Sequence, residues 1–218
     1  MKEEAIRNIV SQVMEDLQMT DKDMSFPVET SARHVHLTEE AVEKLFGKGK
    51  RLVEKRLLSL PGFLSEQRVS IVTKKGSFHN VAVLGPERSA VQVEISRADA
   101  RVLGLNPPVN LSGDFSDAED VIIVGDKGSI CARGSVIISK AHVHMNAGEA
   151  EEYGVHDGDS VDVFIKSRRP VTISNVIIRV AEGMHACMHI DVDESNAAAC
   201  ESDTRGIIVT PEKGAGSL

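Results

Sequence analysis

SARHVHLTEEAVEKLFG at residues 31–47 and SKAHVHMNAGEAEEYGV at 139–155 are two versions of one unit. Each reads as a short strand ending in His-Val-His, a Thr or Asn suited to capping, and an acidic, Ala-containing helical turn closed by Gly. Residues i and i+2 of a strand project from one face, so each unit presents two imidazoles together and turns its central Val to the other side. A weaker third copy, AVQVEISRADARVLGL at 90–105, lies between them, with Ser96 as its cap and Gly104 as its close. In that copy Glu94 stands where His36 and His144 stand, and Gln92 stands where the first histidine of each pair stands. Paired imidazoles on one face are frequent ligands of zinc and related borderline metals. The repeat therefore marks His34, His36, His142 and His144 as metal-ligand candidates, with Glu94 as a candidate from a third strand. A further stretch, GMHACMHIDVDESNAA, offers His185 and His189. HIDVDES reads as strand-like, but a spacing of four places both on one face of either a helix or a strand, so periodicity does not choose between them. His79 and His156 lie in turn-like contexts and read as surface residues.

Outward from these units the chain alternates short Val/Ile-rich stretches with Gly, Asn and Asp turns. RVSIVTKKGSFHNVAVLG, DVIIVGDKGSI, SVDVFIKS, PVTISNVIIRV and RGIIVTP read as strands, with turns at KKG, GDKG and DGD. The helical stretches are short, at 38–46, 97–103 and 147–153. This pattern predicts a mainly β chain of small barrels with helical caps, and it excludes a doubly wound sheet. Residues 2–18 differ: Ile6, Ile9, Val10, Val13, Met14 and Leu17 follow the rhythm of one helix face, with Glu3 and Glu4 at its start. A polar linker, MTDKDMSF, separates this amphipathic helix from the rest, and the tail at 212–218 reads as loose.

The net charge of −8 argues against nucleic acid as a partner, because phosphate neutralisation needs a basic face. No apolar run approaches the ~20 residues that span a bilayer. Three cysteines, Cys131, Cys187 and Cys200, without CxxC spacing and without a secretory signal, point to free thiols in a reducing cytoplasm. With aromatics at 3%, the core must rest on Val, Ile, Leu and Ala. Lys/Arg clusters at 48–56, 74–75 and 166–169 read as solvated surface.

RHVHL at 33–37, ERSAVQVEIS at 87–96, GLNPPVNLSGD at 104–114, KAHVHM at 140–145, GVHDGDSVDV at 154–163 and MHIDVDESNAA at 188–198 carry a resemblance to the PduL-type phosphate acyltransferases of bacterial microcompartments. It covers nearly all of residues 26–211. The resemblance implies two entwined β-barrels capped by short helices: one from 25–32 and 141–211, the other from 33–140 with an inserted hairpin near 50–67. It implies two Zn²⁺ per chain, one held by His34, His36 and Glu94 and facing the coenzyme A sulfur, the other by His142, His144 and His189. It implies that Arg88 grips the incoming phosphate, and it favours His189 over His185. Where that family often carries an acidic residue two positions before this histidine, the chain has Cys187. Residues 1–24 resemble the family's targeting extension, which implies location inside a cytoplasmic microcompartment and contact with shell or lumen proteins. A homo-oligomer is expected, and the residues that bind the coenzyme A nucleotide stay unassigned.

The implied reaction is reversible, zinc-dependent transfer of a short acyl group, propanoyl or acetyl, between coenzyme A and phosphate. No Ser or Cys occupies a nucleophile motif such as GxSxG, so direct attack by phosphate is expected. Two rivals remain at this point. A metal-dependent hydrolase would also use histidine pairs to activate water. A non-catalytic metal-binding protein of the microcompartment would explain the histidines and leave Arg88 without a role.

Overall fold

A computed structural model describes residues 24–209. The proposed helix at 2–18 and the tail at 212–218 lie outside the described residues. Among the described residues fourteen strands run in the order β1 (Phe26–Ser31), β2 (His34–His36), β3 (Glu54–Leu57), β4 (Phe63–Val72), β5 (Ser77–Gly85), β6 (Gln92–Ile95), β7 (Val109–Asn110), β8 (Glu119–Val124), β9 (Ser129–Ser139), β10 (His142–Met145), β11 (Ser160–Lys166), β12 (Val171–Val180), β13 (Cys187–Asp191) and β14 (Arg205–Val209). Four short helices are described among them: α1 (Glu39–Phe46), α2 (Arg97–Leu103), α3 (Ala147–Tyr153) and α4 (Val192–Ala197).

The strands close into two six-strand barrels. One runs β1-β13-β10-β12-β11-β14 and returns to β1. The other runs β9-β6-β2-β5-β4-β8 and closes where β8 pairs with β9, with β3 and β7 attached outside the ring. Read in these orders, the barrels match position by position, and every neighbouring pair has the same parallel or antiparallel sense in both. The chain contributes β1 to the first barrel, builds the whole of the second, and then returns, so the two are entwined.

Each of β2, β6, β10 and β13 leads straight into a helix through a side-chain cap. Thr38, Ser96, Asn146 and Asp191 accept hydrogen bonds from the backbone N–H groups of Ala41, Asp99, Glu149 and Glu194. At Asn146 and Asp191 the glutamate three residues on reaches back to the cap's own N–H, a reciprocal arrangement that fixes where the strand ends. Gly104 and Gly154 close α2 and α3 in the left-handed region, which glycine adopts without a steric penalty. The sequence reading carries HIDVDES onward as a strand. The structure corrects this: the Asp191–Glu194 capping box ends β13 and starts α4.

Period-two alternation separates the faces. Val35, Val93, Val143 and Met188 point into the two barrel cores and are fully buried. The residues on either side of each point outward, to the space between the barrels. Between the barrels, the Ala98 N–H donates to Asp193 Oδ2 at 2.7 Å, which ties α2 to α4. No described helix is long and apolar enough to cross a membrane.

Adjacent residues of β8 test this alternation. Ile123 is fully buried opposite Ile71, whereas Ile122 is 46% exposed opposite Val72. Ile123→Ala should lower the unfolding free energy by about 2–5 kcal/mol in a denaturant titration, and Ile122→Ala by less than about 0.5 kcal/mol.

Candidate metal centres

The caps place the outward-facing side chains in a regular way. Counting back from each cap, the position two before it holds His36, Glu94, His144 and His189, and the position four before it holds His34, Gln92, His142 and Cys187. Because β2 pairs antiparallel with β6, His34 faces Glu94 and His36 faces Gln92. The same crossing of β10 with β13 sets His142 opposite His189 and His144 opposite Cys187. Two quartets of side chains result, one on the outer wall of each barrel.

In the first quartet the ligand atoms of His34, His36 and Glu94 lie within 4.8 Å of one another, and all three residues are buried. Glu94 Oε2 is 3.6 Å from His34 Nε2, and Glu94 Oε1 is 3.9 Å from His36 Nε2. His34 Nδ1 lies 2.9 Å from the Ala32 carbonyl, which can only accept; Nδ1 therefore carries a hydrogen and Nε2 is turned to the site. Gln92 supports the carboxylate: its amide donates to Glu94 Oε1 and to Ser112 Oγ, while its carbonyl accepts from the Gly113 N–H. Burial opposes the charge on Glu94, yet His34, His36 and a hydrogen bond from Ser139 hold its pKa well below the carboxylate range. Burial also lowers His34, but Glu94 overcomes it and raises the imidazole above its ordinary value.

In the second quartet the ligand atoms of His142, His144 and His189 also lie within 4.8 Å of one another. His142 repeats the anchoring of His34, donating from Nδ1 to the Lys140 carbonyl at 2.7 Å. Its Nε2 lies 3.1 Å from that of His144. Burial, followed by neighbouring positive charge, lowers His36 and His144 to about 3, and burial with His142 lowers His189 to about 4. These imidazoles are neutral near pH 7 and keep lone pairs to offer. Three buried imidazole nitrogens, His36 Nδ1, His144 Nδ1 and His189 Nε2, have no hydrogen-bond partner among the described residues. Unpartnered buried donor atoms, neutral imidazoles and a supported carboxylate are what a borderline divalent ion such as zinc needs.

Both centres open on one cavity of about 500 Å³, which Arg88 and Arg179 also line. Arg88 is held by its N–H to the Leu37 carbonyl at 2.8 Å, and its Nη1 donates to Ser112 Oγ at 3.1 Å. His185 joins neither quartet and does not line the cavity; its ring is mostly exposed, 3.8 Å from Glu149. His79 and His156 are exposed, and neither lines the cavity. Cys187 is buried beside His189, and burial with Glu29 pushes its thiol up to about 12. Sequence reasoning missed Arg179, the register partner of His144, although a lone charge within the strand PVTISNVIIRV is a usable signal. It also missed the rule that would have selected His189 directly: a ligand two residues before a helix cap, with the cap announced by Asp191 and Glu194.

The depressed histidines make stability depend on pH. Below the unfolded value of about 6.5 the unfolded chain takes up protons that the folded chain refuses at these sites, so stability falls as pH drops toward 3. In metal-free protein His144→Gln should flatten the slope of unfolding free energy against pH between these limits by up to about 1.4 kcal/mol per pH unit. An unchanged slope in denaturant titrations would show that His144 titrates normally.

A family model described as phosphate propanoyltransferase matches residues 27–201. The chain is similar to phosphate propanoyltransferases of Alkaliphilus metalliredigens, at 44% identity over 96% of this chain and 100% of the relative, and of Priestia megaterium, at 44% over 95% and 97%. It is similar to the enzyme of that name from Thermotoga maritima at 43% over 87% of this chain and 91% of the relative. With histidine pairs, an arginine-lined cavity and this likeness along almost its whole length, the chain belongs to the phosphate propanoyltransferase family of acyltransferases.

Proposed function

We propose that this chain exchanges a short acyl group, propanoyl or acetyl, between coenzyme A and inorganic phosphate, in either direction, with zinc at both centres. The reading rests on one observation above the rest: two sets of metal-type donors and the Arg88 guanidinium open on a single cavity. His34, His36 and Glu94 would hold one ion, and His142, His144 and His189 the other. Zinc so bound would polarise the thioester carbonyl and stabilise the departing thiolate, a soft ligand that it accepts readily.

The chain's own groups do the rest. Arg88 offers a planar fork of N–H donors, of which one already goes to Ser112 Oγ, and the remainder suit phosphate oxygens. The path Arg88–Ser112–Gln92–Glu94 fixes the phosphate grip relative to the first centre. Leu58, Leu60, Pro61 and Leu84 supply apolar wall that excludes water from the thioester and receives the acyl chain. A phosphate oxygen so held attacks the acyl carbon directly; the carbon–oxygen bond forms and the carbon–sulfur bond breaks, leaving coenzyme A thiolate. A covalent acyl-enzyme is not invoked, since none of Cys131, Cys187 and Cys200 lines the cavity. Holding both reactants makes the attack effectively intramolecular. Propanoyl and acetyl differ by one methylene, which an apolar pocket separates by only about 1–3 kcal/mol, so both should turn over. The amphipathic stripe of residues 2–18 supports docking inside a microcompartment.

Thiol release from propanoyl-CoA and acetyl-CoA, followed with and without phosphate, tests the reading. Release should require phosphate and bound zinc, and Arg88→Ala should lower kcat/KM for phosphate by about 100-fold with zinc content unchanged. Release without phosphate would make the chain a hydrolase, and loss of zinc from Arg88→Ala would make Arg88 structural. Removal of residues 1–24 should leave turnover intact and abolish co-purification with the microcompartment; persistence of that association would refute the targeting role.

A further inference from the structure

The two barrels match strand for strand, and this exposes where the second centre departs from the first. Behind Glu94, two residues earlier on the same face, stands Gln92, whose amide is fully used in hydrogen bonds. The matching position behind His189 is Cys187, whose Sγ makes only a long contact to the Met188 carbonyl at 3.8 Å. The parallel neighbour strands differ as well. Beside Glu94 the register partner on β9 is Ile137, and beside His189 the register partner on β1 is Glu29. At both flanking positions, then, an inert group in the first barrel is replaced by a metal-ligating group in the second.

These replacements converge. The ligand atoms of Glu29, Cys187 and His189 lie within 4.8 Å of one another. His189 Nε2, a buried nitrogen with no hydrogen-bond partner among the described residues, is 3.7 Å from Glu29 Oε2. That carboxylate is already oriented, since it accepts from Ser59 Oγ at 2.5 Å. We propose that Glu29, Cys187 and His189 form a second cation seat beside the three-histidine seat, sharing His189 with it and selecting thiophilic divalent ions. Resting on the metal-binding reading above, this adds a mixed oxygen, sulfur and nitrogen donor set that belongs to neither centre described so far. Cys187 binds as thiolate: the sulfur–metal bond forms as the thiol proton passes to solvent. Since one imidazole serves both seats, an ion drawn toward the thiolate is drawn away from His142 and His144. The pair of seats thus sorts ions by softness.

Cobalt(II) is the probe, because a cobalt–thiolate bond gives an intense near-ultraviolet charge-transfer band that imidazole and carboxylate ligands do not. The full chain carrying Cys131→Ser and Cys200→Ser, loaded with cobalt, should show this band at one thiolate per chain. Cys187→Ser, a near-isosteric change, should abolish it while visible ligand-field bands show that cobalt remains bound. Glu29→Gln should weaken the affinity behind the band by about tenfold. Bound cobalt with no thiolate band, or a band that survives Cys187→Ser, would overturn the mixed seat and leave the proposed function standing. No bound cobalt at all would overturn both.

Discussion

The structure depends on one constraint: a strand of period two that must stop at a helix cap. In β2, β6, β10 and β13 the cap sets the last strand residue, and counting back two and four residues from it names the eight side chains of the two quartets that face the space between the barrels. The intervening Val35, Val93, Val143 and Met188 are buried in the barrel cores. Core packing and ligand placement are therefore one event. A slip of one residue would drive imidazoles into an apolar core and leave valines in the cavity. Antiparallel crossing then does what a single strand cannot, bringing the residue four before one cap against the residue two before another.

Duplication gives the chain two such crossings with unlike donors. The first centre contains a carboxylate, and its surroundings keep Glu94 anionic despite burial. The second contains three imidazoles, all with lowered pKa, and an arginine, Arg179, in register with His144. A divalent ion would lose part of its charge to Glu94 at the first centre and keep it when held by the three imidazoles of the second, so anion attraction should then concentrate on the second side of the cavity.

Much of this was legible in the chain. The HVH pairs and their repeat imply two outward-facing imidazole pairs, and the weaker third copy leads to Glu94 without any known relative. Turn chemistry at KKG and GDKG marks the hairpins β4–β5 and β8–β9, and Val/Ile density between the turns marks a mainly β fold. What was not legible had physical reasons. The fourth copy, ending β13, hides because its first position is Cys187 rather than His and because DVDES mixes strand and helix signals; only the reciprocal Asp191–Glu194 cap settles it. Arg179 and Glu29 join the site through parallel partners distant in sequence, and pairing register of that kind has no local signature.

Cap-terminated strands crossing in pairs set two candidate metal centres on one cavity. The most direct test is anomalous diffraction at the zinc edge from crystals of the full chain. The account predicts two zinc peaks per chain, one bonded to His34, His36 and Glu94, the other bonded to His189 on the β10–β13 wall. Peaks at other residues, or no zinc at either wall in protein that turns over, would contradict it.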